Sequence, residues 1–248
     1  MRLSSANDGE FATPYIQNCK FLDNFASRQG GALIAAPIPI EHVCEGGSCE
    51  DPEDYTSLLK IRTCEFRGNI AHNETGGAID MSRSGLDIAG TLVADNHANA
   101  YGSGIHIFFP TPLIITNCTI TNNNNSHSSA GVACSRSDWQ PPDPEGTEPP
   151  LGLFVVKNSI ISGNRDDQPG GGSGSFDNQL GGAKYGYPIK PELDFSIVYD
   201  SVGVVGVPPF GAGNQTTPAF DPAFFVDRSN GNVFARNYKV VRLSRCRG

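Results

Sequence analysis

The sequence predicts an all-β protein, a right-handed parallel β-helix built from coils of about 27 residues. Two observations carry this prediction: a residue pattern that recurs along the chain, and the composition. The 248 residues include 29 Gly and 18 Pro but one Trp and two Met. Such a composition favours short strands joined by turns over packed amphipathic helices.

Five matching coils emerge when the chain is aligned with itself, because an Asn recurs with a small side chain five residues before it. The Asn column comprises Asn24, Asn69, Asn96, Asn123 and Asn164. The small column comprises Cys19, Cys64, Thr91, Cys118 and Ser159, and the apolar column two residues later comprises Phe21, Phe66, Val93, Ile120 and Ile161. Each coil therefore offers three short strands, and stacking the coils about 4.8 Å apart forms a continuous core.

The Asn residues and the glycines receive structural roles in this pattern. An inward amide at a bend can bind turn backbone and the Asn residues of the coils above and below. About nine residues beyond each Asn, small residues precede an aliphatic one, as in Gly76-Gly77-Ala78-Ile79. Glycine permits a tight turn there, since a Cβ would clash. Cys19, Cys64, Cys118 and Cys134 are predicted to point inward as small apolar side chains.

Three long insertions interrupt the coils, at 37–57, 136–150 and 165–191, whereas the connections at 83–84 and 110–112 are short. We call the region over coils two to four, between the insertions at 37–57 and 136–150, the saddle. It is the predicted binding surface. The predicted domain comprises coils and insertions over 1–191, followed by a terminal coil and a C-terminal cap or tail over 192–248.

Charge and hydropathy restrict the partners. The formal net charge of -8 argues against nucleic acid and anionic membranes, which require clustered Lys and Arg. No window reaches the roughly 18 apolar residues of a membrane helix, so no membrane insertion is expected. The start of the chain lacks the apolar stretch of a signal peptide. We therefore expect a fragment of a longer secreted or surface protein.

Two tetrads carry a family resemblance. Phe21-Leu22-Asp23-Asn24 and Phe66-Arg67-Gly68-Asn69 are each followed by Gly-Gly-Ala and an aliphatic residue. They resemble the FxxN and GGA[ILV] repeats of polymorphic outer-membrane proteins, over roughly residues 15 to 135. In that family such repeats build the β-helical passenger of autotransported adhesins. The resemblance implies a cell-surface or outer-membrane location and a role in adhesion.

A second resemblance lies downstream. The segments 158–164 and 221–227, with Gly231-Asn232, are similar to the closing part of secreted β-helix proteins with choice-of-anchor Q domains. Those proteins usually continue into a Ser-Pro-Ala-Ile-Asp segment and an anchor. This chain instead runs Tyr238-Lys239-Val240-Val241-Arg242, which departs from that pattern.

Parallel β-helices of the pectin lyase-like type also serve polysaccharide lyases and glycoside hydrolases, so candidate catalytic residues were sought on the saddle. Outward positions place Asp80 and His106 side by side on adjacent coils, with Arg83 on the turn and Asp87 beyond it. A carboxylate beside a His can perform acid–base chemistry. The alternative is an exposed cross-strand ion pair of small energetic value.

Other residues suggest ligand contacts. Phe108 and Trp139 are suited to stack on sugar rings, with Ser82 and Lys60 nearby. The acidic group Asp51, Glu53 and Asp54 is a weak Ca²⁺ candidate because it lacks the spacing and the Gly of a dedicated loop, and solvated charge is the alternative. No other cofactor is expected. Cys44 and Cys49 form a candidate disulfide in an oxidising compartment.

The sequence thus favours a non-enzymatic extracellular module for adhesion or carbohydrate binding, whose partner is a glycan or the surface of a host or neighbouring cell. The first alternative is a carbohydrate-active enzyme, a lyase or hydrolase, acting in the saddle. The second is a structural spacer within a larger surface protein. Motifs of this kind specify a fold more strongly than an activity.

Overall fold

The computed structural model describes residues 2–3, 13–35, 57–82, 84–108, 112–126, 130–135, 154–166, 179–182, 192–194, 197–198, 225–227 and 237–240. All 25 elements with bounds in these ranges are β-strands, which confirms the all-β class. Twenty-three of the strands form four parallel sheets, and the other two form an antiparallel pair. No helix in the described part of the chain is long and apolar enough to span a membrane.

The four parallel sheets are named A to D, and their strands are given in stacking order. Sheet A contains β1 (Arg2–Leu3), β5 (Leu33–Ala35), β9 (Ile79–Met81), β13 (Ile105–Phe108), β17 (Val132–Ser135) and β21 (Leu180–Gly182). Sheet B contains β2 (Tyr15–Gln17), β6 (Ser57–Arg62), β10 (Ser84–Ala89), β14 (Leu113–Thr116), β18 (Phe154–Lys157) and β22 (Glu192–Asp194). Sheet C contains β3 (Lys20–Leu22), β7 (Glu65–Arg67), β11 (Leu92–Ala94), β15 (Thr119–Thr121), β19 (Ile160–Ser162) and β23 (Ile197–Val198).

Sheet D is made of two-residue strands: β4 (Phe25–Ala26), β8 (Ile70–Ala71), β12 (His97–Ala98), β16 (Asn124–Asn125) and β20 (Arg165–Asp166). The antiparallel pair comprises β24 (Phe225–Asp227) and β25 (Asn237–Val240). The chain visits sheets B, C, D and A in turn and then returns to sheet B, so the strands stack as a solenoid. Each coil therefore has four strands where three were predicted, because sheet D strands are too short to show an alternating pattern.

The register of the sheets agrees with the residue columns read from the sequence. In sheet B, Ile16 pairs with Ile61, and Ile61 with Ile88. In sheet C, Phe21 pairs with Phe66, and Phe66 with Val93. The inward side chains of successive coils thus lie on top of one another, and most of them are fully buried. Removing this apolar surface from water is the main force that holds the stack together.

The Asn column forms a hydrogen-bonded ladder along the stack, as expected for a structural role. Asn69 Nδ2 donates to Asn96 Oδ1 at 2.8 Å, and Asn96 Nδ2 donates to Asn123 Oδ1 at 2.9 Å. Asn164 Nδ2 in turn donates to Gln179 Oε1 at 2.8 Å. Gln179, which belongs to the insertion at 165–191, therefore extends the ladder beyond the last repeated Asn. The sequence pattern did not identify this residue.

The small-residue cluster has no room for a side chain at Gly77. A Cβ added at Gly77 would lie 2.4 Å from Ser103 O and 2.6 Å from His97 O. Both are backbone atoms of the next coil, so they cannot move aside as a flexible side chain would. Glycine at this position therefore allows the corners of adjacent coils to approach each other.

Four cysteines lie in the described part of the chain, and their exposure differs. Cys64, Cys118 and Cys134 are buried, as expected, whereas Cys19 is exposed. Cys19 keeps the orientation of its column, since its Sγ lies 3.2 Å from Gln17 O just as Cys64 Sγ lies 3.2 Å from Arg62 O, and only its exposure differs from the prediction. Its coil lies near the end of the stack, where the apolar shell is less complete. Burial raises the pKa of the Cys118 thiol to about 11 and raises the pKa of Cys134 even further.

We expect an alkylating reagent at pH 8 to modify Cys19 in the folded chain and to leave Cys64, Cys118 and Cys134 unmodified. A buried thiol of raised pKa carries little of the reactive thiolate and is also inaccessible. Peptide mass mapping after iodoacetamide treatment, with and without denaturant, measures this directly. Modification of Cys134 at the rate of Cys19 in the native chain would contradict the packing described above.

The insertions at 37–57 and 136–150 lie almost entirely or entirely outside the described residues, and the insertion at 165–191 is described only at 165–166 and 179–182. Strands β22 and β23 extend sheets B and C beyond the fifth Asn. The division of the chain at residue 191 stays a prediction.

Candidate functional site

The outer face of sheet A brings together two of the predicted catalytic residues, Asp80 and His106. Along β9 and β13, Ile79 and Ile105 point into the core, whereas Asp80 and His106 alternate to the outer face. His106 pairs in register with Asp80 on one side and with Ala133 on the other. Parallel stacking thus fixes the backbone positions of all three residues.

Asp80 and His106 form a buried hydrogen bond. His106 Nδ1 lies 3.0 Å from Asp80 Oδ2, and the two residues are 5% and 1% exposed. Thr75 Oγ1 donates a second hydrogen bond to the same carboxylate oxygen. The alternative of an exposed ion pair is therefore wrong for these two residues, and the small energies typical of surface pairs do not apply.

Ser135 is the third member of this hydrogen-bonded series of side chains. Its Oγ lies 2.7 Å from His106 Nε2, the ring nitrogen that faces away from Asp80. Ser135 is half-buried at the end of β17, where it pairs in register with Phe108. It is therefore the diagonal neighbour of His106 on the same face, two positions beyond Ala133. The residue columns do not point to Ser135, because they align directly opposite positions and not diagonal ones.

The hydrogen bonds define how protons can be arranged. As a carboxylate, Asp80 only accepts, so it favours the His106 tautomer that carries its hydrogen on Nδ1. Nε2 is then free of hydrogen and accepts the hydrogen bond from Ser135 Oγ. The three side chains thus lie in the order hydroxyl, imidazole and carboxylate, an order that is compatible with nucleophilic catalysis.

Asp87 and Lys60 lie on sheet B, away from Asp80 and His106. They pair in register on sheet B, and both are half-buried. The Asp87 carboxylate binds Arg62 at 2.6 Å, and Arg62 Nη1 also donates to the Asp87 carbonyl oxygen at 2.6 Å. This ion pair joins two adjacent strands of sheet B, whereas Asp80 and His106 belong to sheet A.

Phe108 and Ser82 lie beside Asp80, His106 and Ser135. Phe108 is half-buried on the outer face of sheet A. Ser82 follows Met81, whose register partner is Ile107, so Ser82 reaches the level of Phe108. Its backbone N–H donates to Ala35 O at 2.8 Å. The remaining predicted residues lie outside the described part of the chain: Arg83, Trp139, Asp51, Glu53, Asp54, Cys44 and Cys49.

Metal binding and paired-carboxylate chemistry each require a particular set of side chains. Within those ranges, no group of three His, Cys, Asp or Glu side chains is arranged to hold a metal ion. The described carboxylates near the saddle are also divided between sheets, since Asp80 binds His106 and Asp87 binds Arg62. A hydrolase that uses two facing carboxylates requires them about 5 to 10 Å apart across one substrate bond.

Comparison with known proteins adds no family to these observations. No protein-family model, no curated protein sequence and no solved structure matches the chain.

Proposed function

We propose that the chain is a module of an extracellular or surface-displayed protein, a right-handed parallel β-helix that binds glycans through the outer face of sheet A. The observation that carries the proposal is the length of the connections between sheet A and sheet B, two of which are long and two of which are short. The long segments 36–56 and 136–153 and the short connections 82–83 and 109–112 all join a strand of sheet A to one of sheet B. The short ones lie between the long ones, which leaves the outer face of coils two to four as the saddle.

Handedness follows from a general rule. Each coil leaves sheet B and returns to it as a neighbouring parallel strand. Connections of this kind between parallel strands of one sheet are almost always right-handed, because strand twist favours that path. A right-handed β-helix of stacked coils is therefore the architecture that we assign to the chain.

Location and partner rest on the resemblances and on charge. The FxxN and GGA[ILV] tetrads resemble those of surface adhesins, and the later segments resemble secreted β-helix proteins with choice-of-anchor Q domains. A net charge of -8 fits a neutral or cation-bridged glycan better than a polyanion such as nucleic acid. The partner would then be a glycan on a host or neighbouring cell.

Phe108 is the residue on which glycan binding would depend most. It lies on the outer face in register with Ser135 and two residues beyond His106 on β13. An aromatic ring beside hydroxyl and imidazole groups offers what sugar recognition needs, an apolar surface for ring C–H groups and hydrogen-bonding partners for hydroxyls.

A glycan array and titrations with soluble acidic and neutral polysaccharides, with and without Ca²⁺, test the proposal. We expect Phe108→Ala to weaken binding about two- to tenfold, since a stacked aromatic contributes about 0.5 to 1.5 kcal/mol. Trp139→Ala tests the segment at 136–150 in the same assay. Phe25→Ala is the matched control, because Phe25 is an exposed aromatic residue on sheet D.

The other functions predict different results. Unsaturated products or new reducing ends in the same samples would indicate a lyase or a glycoside hydrolase. Absence of binding to every polysaccharide and to cells would leave the structural spacer. Binding that survives Phe108→Ala and is lost with Phe25→Ala would place the binding surface away from the saddle.

A further inference from the structure

We propose that Ser135, His106 and Asp80 form a catalytic site that hydrolyses carboxylic esters by way of an acyl-serine. This goes beyond glycan binding, because it assigns a reaction to the outer face of sheet A. It also differs from the polysaccharide lyase and glycoside hydrolase considered above, since the bond broken is an ester bond and the nucleophile is a serine hydroxyl.

The distances suit this chemistry. A nucleophile and its base must lie within about 2.6 to 3.2 Å, with a third group that orients the base. Ser135 Oγ lies 2.7 Å from His106 Nε2, and His106 Nδ1 lies 3.0 Å from Asp80 Oδ2. The two ring nitrogens have different partners, so the imidazole is held in one orientation. Such constellations are recognised by geometry and not by the order of residues along the chain.

Burial is graded in the direction that a nucleophilic serine requires. Asp80 and His106 are 1% and 5% exposed, whereas Ser135 is half-buried. The carboxylate and imidazole are thus shielded from water, which strengthens their interaction. Ser135, which carries the attacking hydroxyl, is the residue of the three that is partly exposed. A polar network with only a structural role would not require this gradient.

The site is also rigid. Asp80, His106 and Ser135 come from consecutive strands of sheet A, β9, β13 and β17, whose register is continuous. Thr75 Oγ1 donates a hydrogen bond to Asp80 Oδ2, the same oxygen that contacts His106, and so helps to hold the carboxylate in place. Groups placed on strands are held more closely to a productive geometry than groups placed on loops.

The reaction balances with water as the only co-reactant. Ser135 Oγ attacks the carbonyl carbon while its proton moves to His106 Nε2, and the alcohol leaves with that proton as the carbon–oxygen bond breaks. A water molecule then attacks the acyl-serine and gives its proton to His106. Collapse of this intermediate releases the carboxylic acid and returns the proton to Ser135 Oγ.

The neighbours of Ser135 indicate a short acyl group. Phe108 is its register partner on β13, and Ala133 lies two residues before it on the same face. Ala133 is fully buried, so the half-buried Phe108 ring offers the acyl group only a small apolar surface beside Ser135. We therefore infer that an acetyl ester, or one of similar size, is the substrate class.

Two measurements on the full chain test the inference: covalent labelling by a fluorophosphonate, located by peptide mass mapping, and hydrolysis of p-nitrophenyl acetate. We expect the label on Ser135. We expect Ser135→Ala to abolish labelling and to lower kcat/KM at least about 100-fold. Ser27→Ala is the matched control, because Ser27 is an exposed serine on the first coil, and it should change neither result.

Asp80→Asn separates catalysis from folding. The amide keeps the size of the carboxylate but favours the wrong His106 tautomer, so hydrolysis should fall while circular dichroism stays that of the folded chain. Absence of label on folded protein, or hydrolysis unchanged in Ser135→Ala, would overturn the inference. Glycan binding without hydrolysis would overturn only this inference, and hydrolysis without glycan binding would overturn only the binding proposal.

Discussion

Replacing Asn96 by alanine is expected to lower the free energy of unfolding by about 2 to 6 kcal/mol, since it removes the partner of two buried polar groups, the Asn69 backbone N–H and Phe66 O, whereas Asn69 Nδ2 keeps its hydrogen bond to Phe21 O. Asn96 Oδ1 accepts hydrogen bonds from the backbone N–H and the side-chain Nδ2 of Asn69. Asn96 Nδ2 also donates to Phe66 O at 3.1 Å. Each orphaned group costs about 1 to 3 kcal/mol when water cannot replace the partner.

Asn24 provides the matched control, because it belongs to the same column but is exposed on the first coil. Its side chain donates to Asn69 Oδ1, which also accepts the Asn24 backbone N–H. Asn24→Ala therefore leaves that oxygen with a partner, and we expect a loss below about 1 kcal/mol. Urea unfolding followed by circular dichroism measures both variants. Equal losses for Asn24→Ala and Asn96→Ala would contradict an energetic role of burial in the ladder.

Much of the fold could be predicted because a solenoid repeats its sequence requirements with each coil. Aligning the Asn columns was enough to give the register of sheets B and C, as Ile61 with Ile88 and Phe66 with Val93 show. Each column marks a position where the backbone geometry recurs. A shift of one residue in the alignment would therefore have given the wrong partner for every residue of a strand. Agreement across several columns is what made the pattern informative.

The features that the pattern did not predict depend on the ends of the stack or on diagonal neighbours. Cys19 shares a column with buried residues, but its coil lies near one end of the stack. Gln179 joins the Asn ladder from an insertion that has no repeat of its own. Periodicity describes the interior of a solenoid and carries no information about how each end is covered.

The candidate site was predicted in part for the same reason. The alternation of inward and outward residues predicted that Asp80 and His106 would be neighbours, and the register places them so. It did not predict that the pair would be buried, because alternation fixes the face on which a side chain lies and not its exposure. Ser135 lies diagonal to His106, and diagonal contacts depend on side-chain length and orientation as well as register.

Phe66→Ala is expected to lower the free energy of unfolding by about 3 to 5 kcal/mol, the usual cost of removing a fully buried aromatic ring. Phe66 is fully buried in the second coil, and its ring stacks on Phe21 with centroids 4.6 Å apart and planes inclined by 3°. It also pairs with Val93 in the third coil. The cavity left by the substitution would therefore lie between Phe21 of the first coil and Val93 of the third, and would weaken the packing of both coils on the second.

Phe21→Ala removes the same stacking contact from the other side and serves as the control. Phe21 is only partly buried and belongs to the first coil, so we expect a loss of about 1 to 2 kcal/mol. Because each coil of a solenoid contacts only its neighbours, the effect of Phe66→Ala should also be local. Amide hydrogen exchange should accelerate in β3, β7 and β11 more than in β15 and β19. Uniform acceleration along the stack would indicate instead that the coils unfold as one cooperative unit.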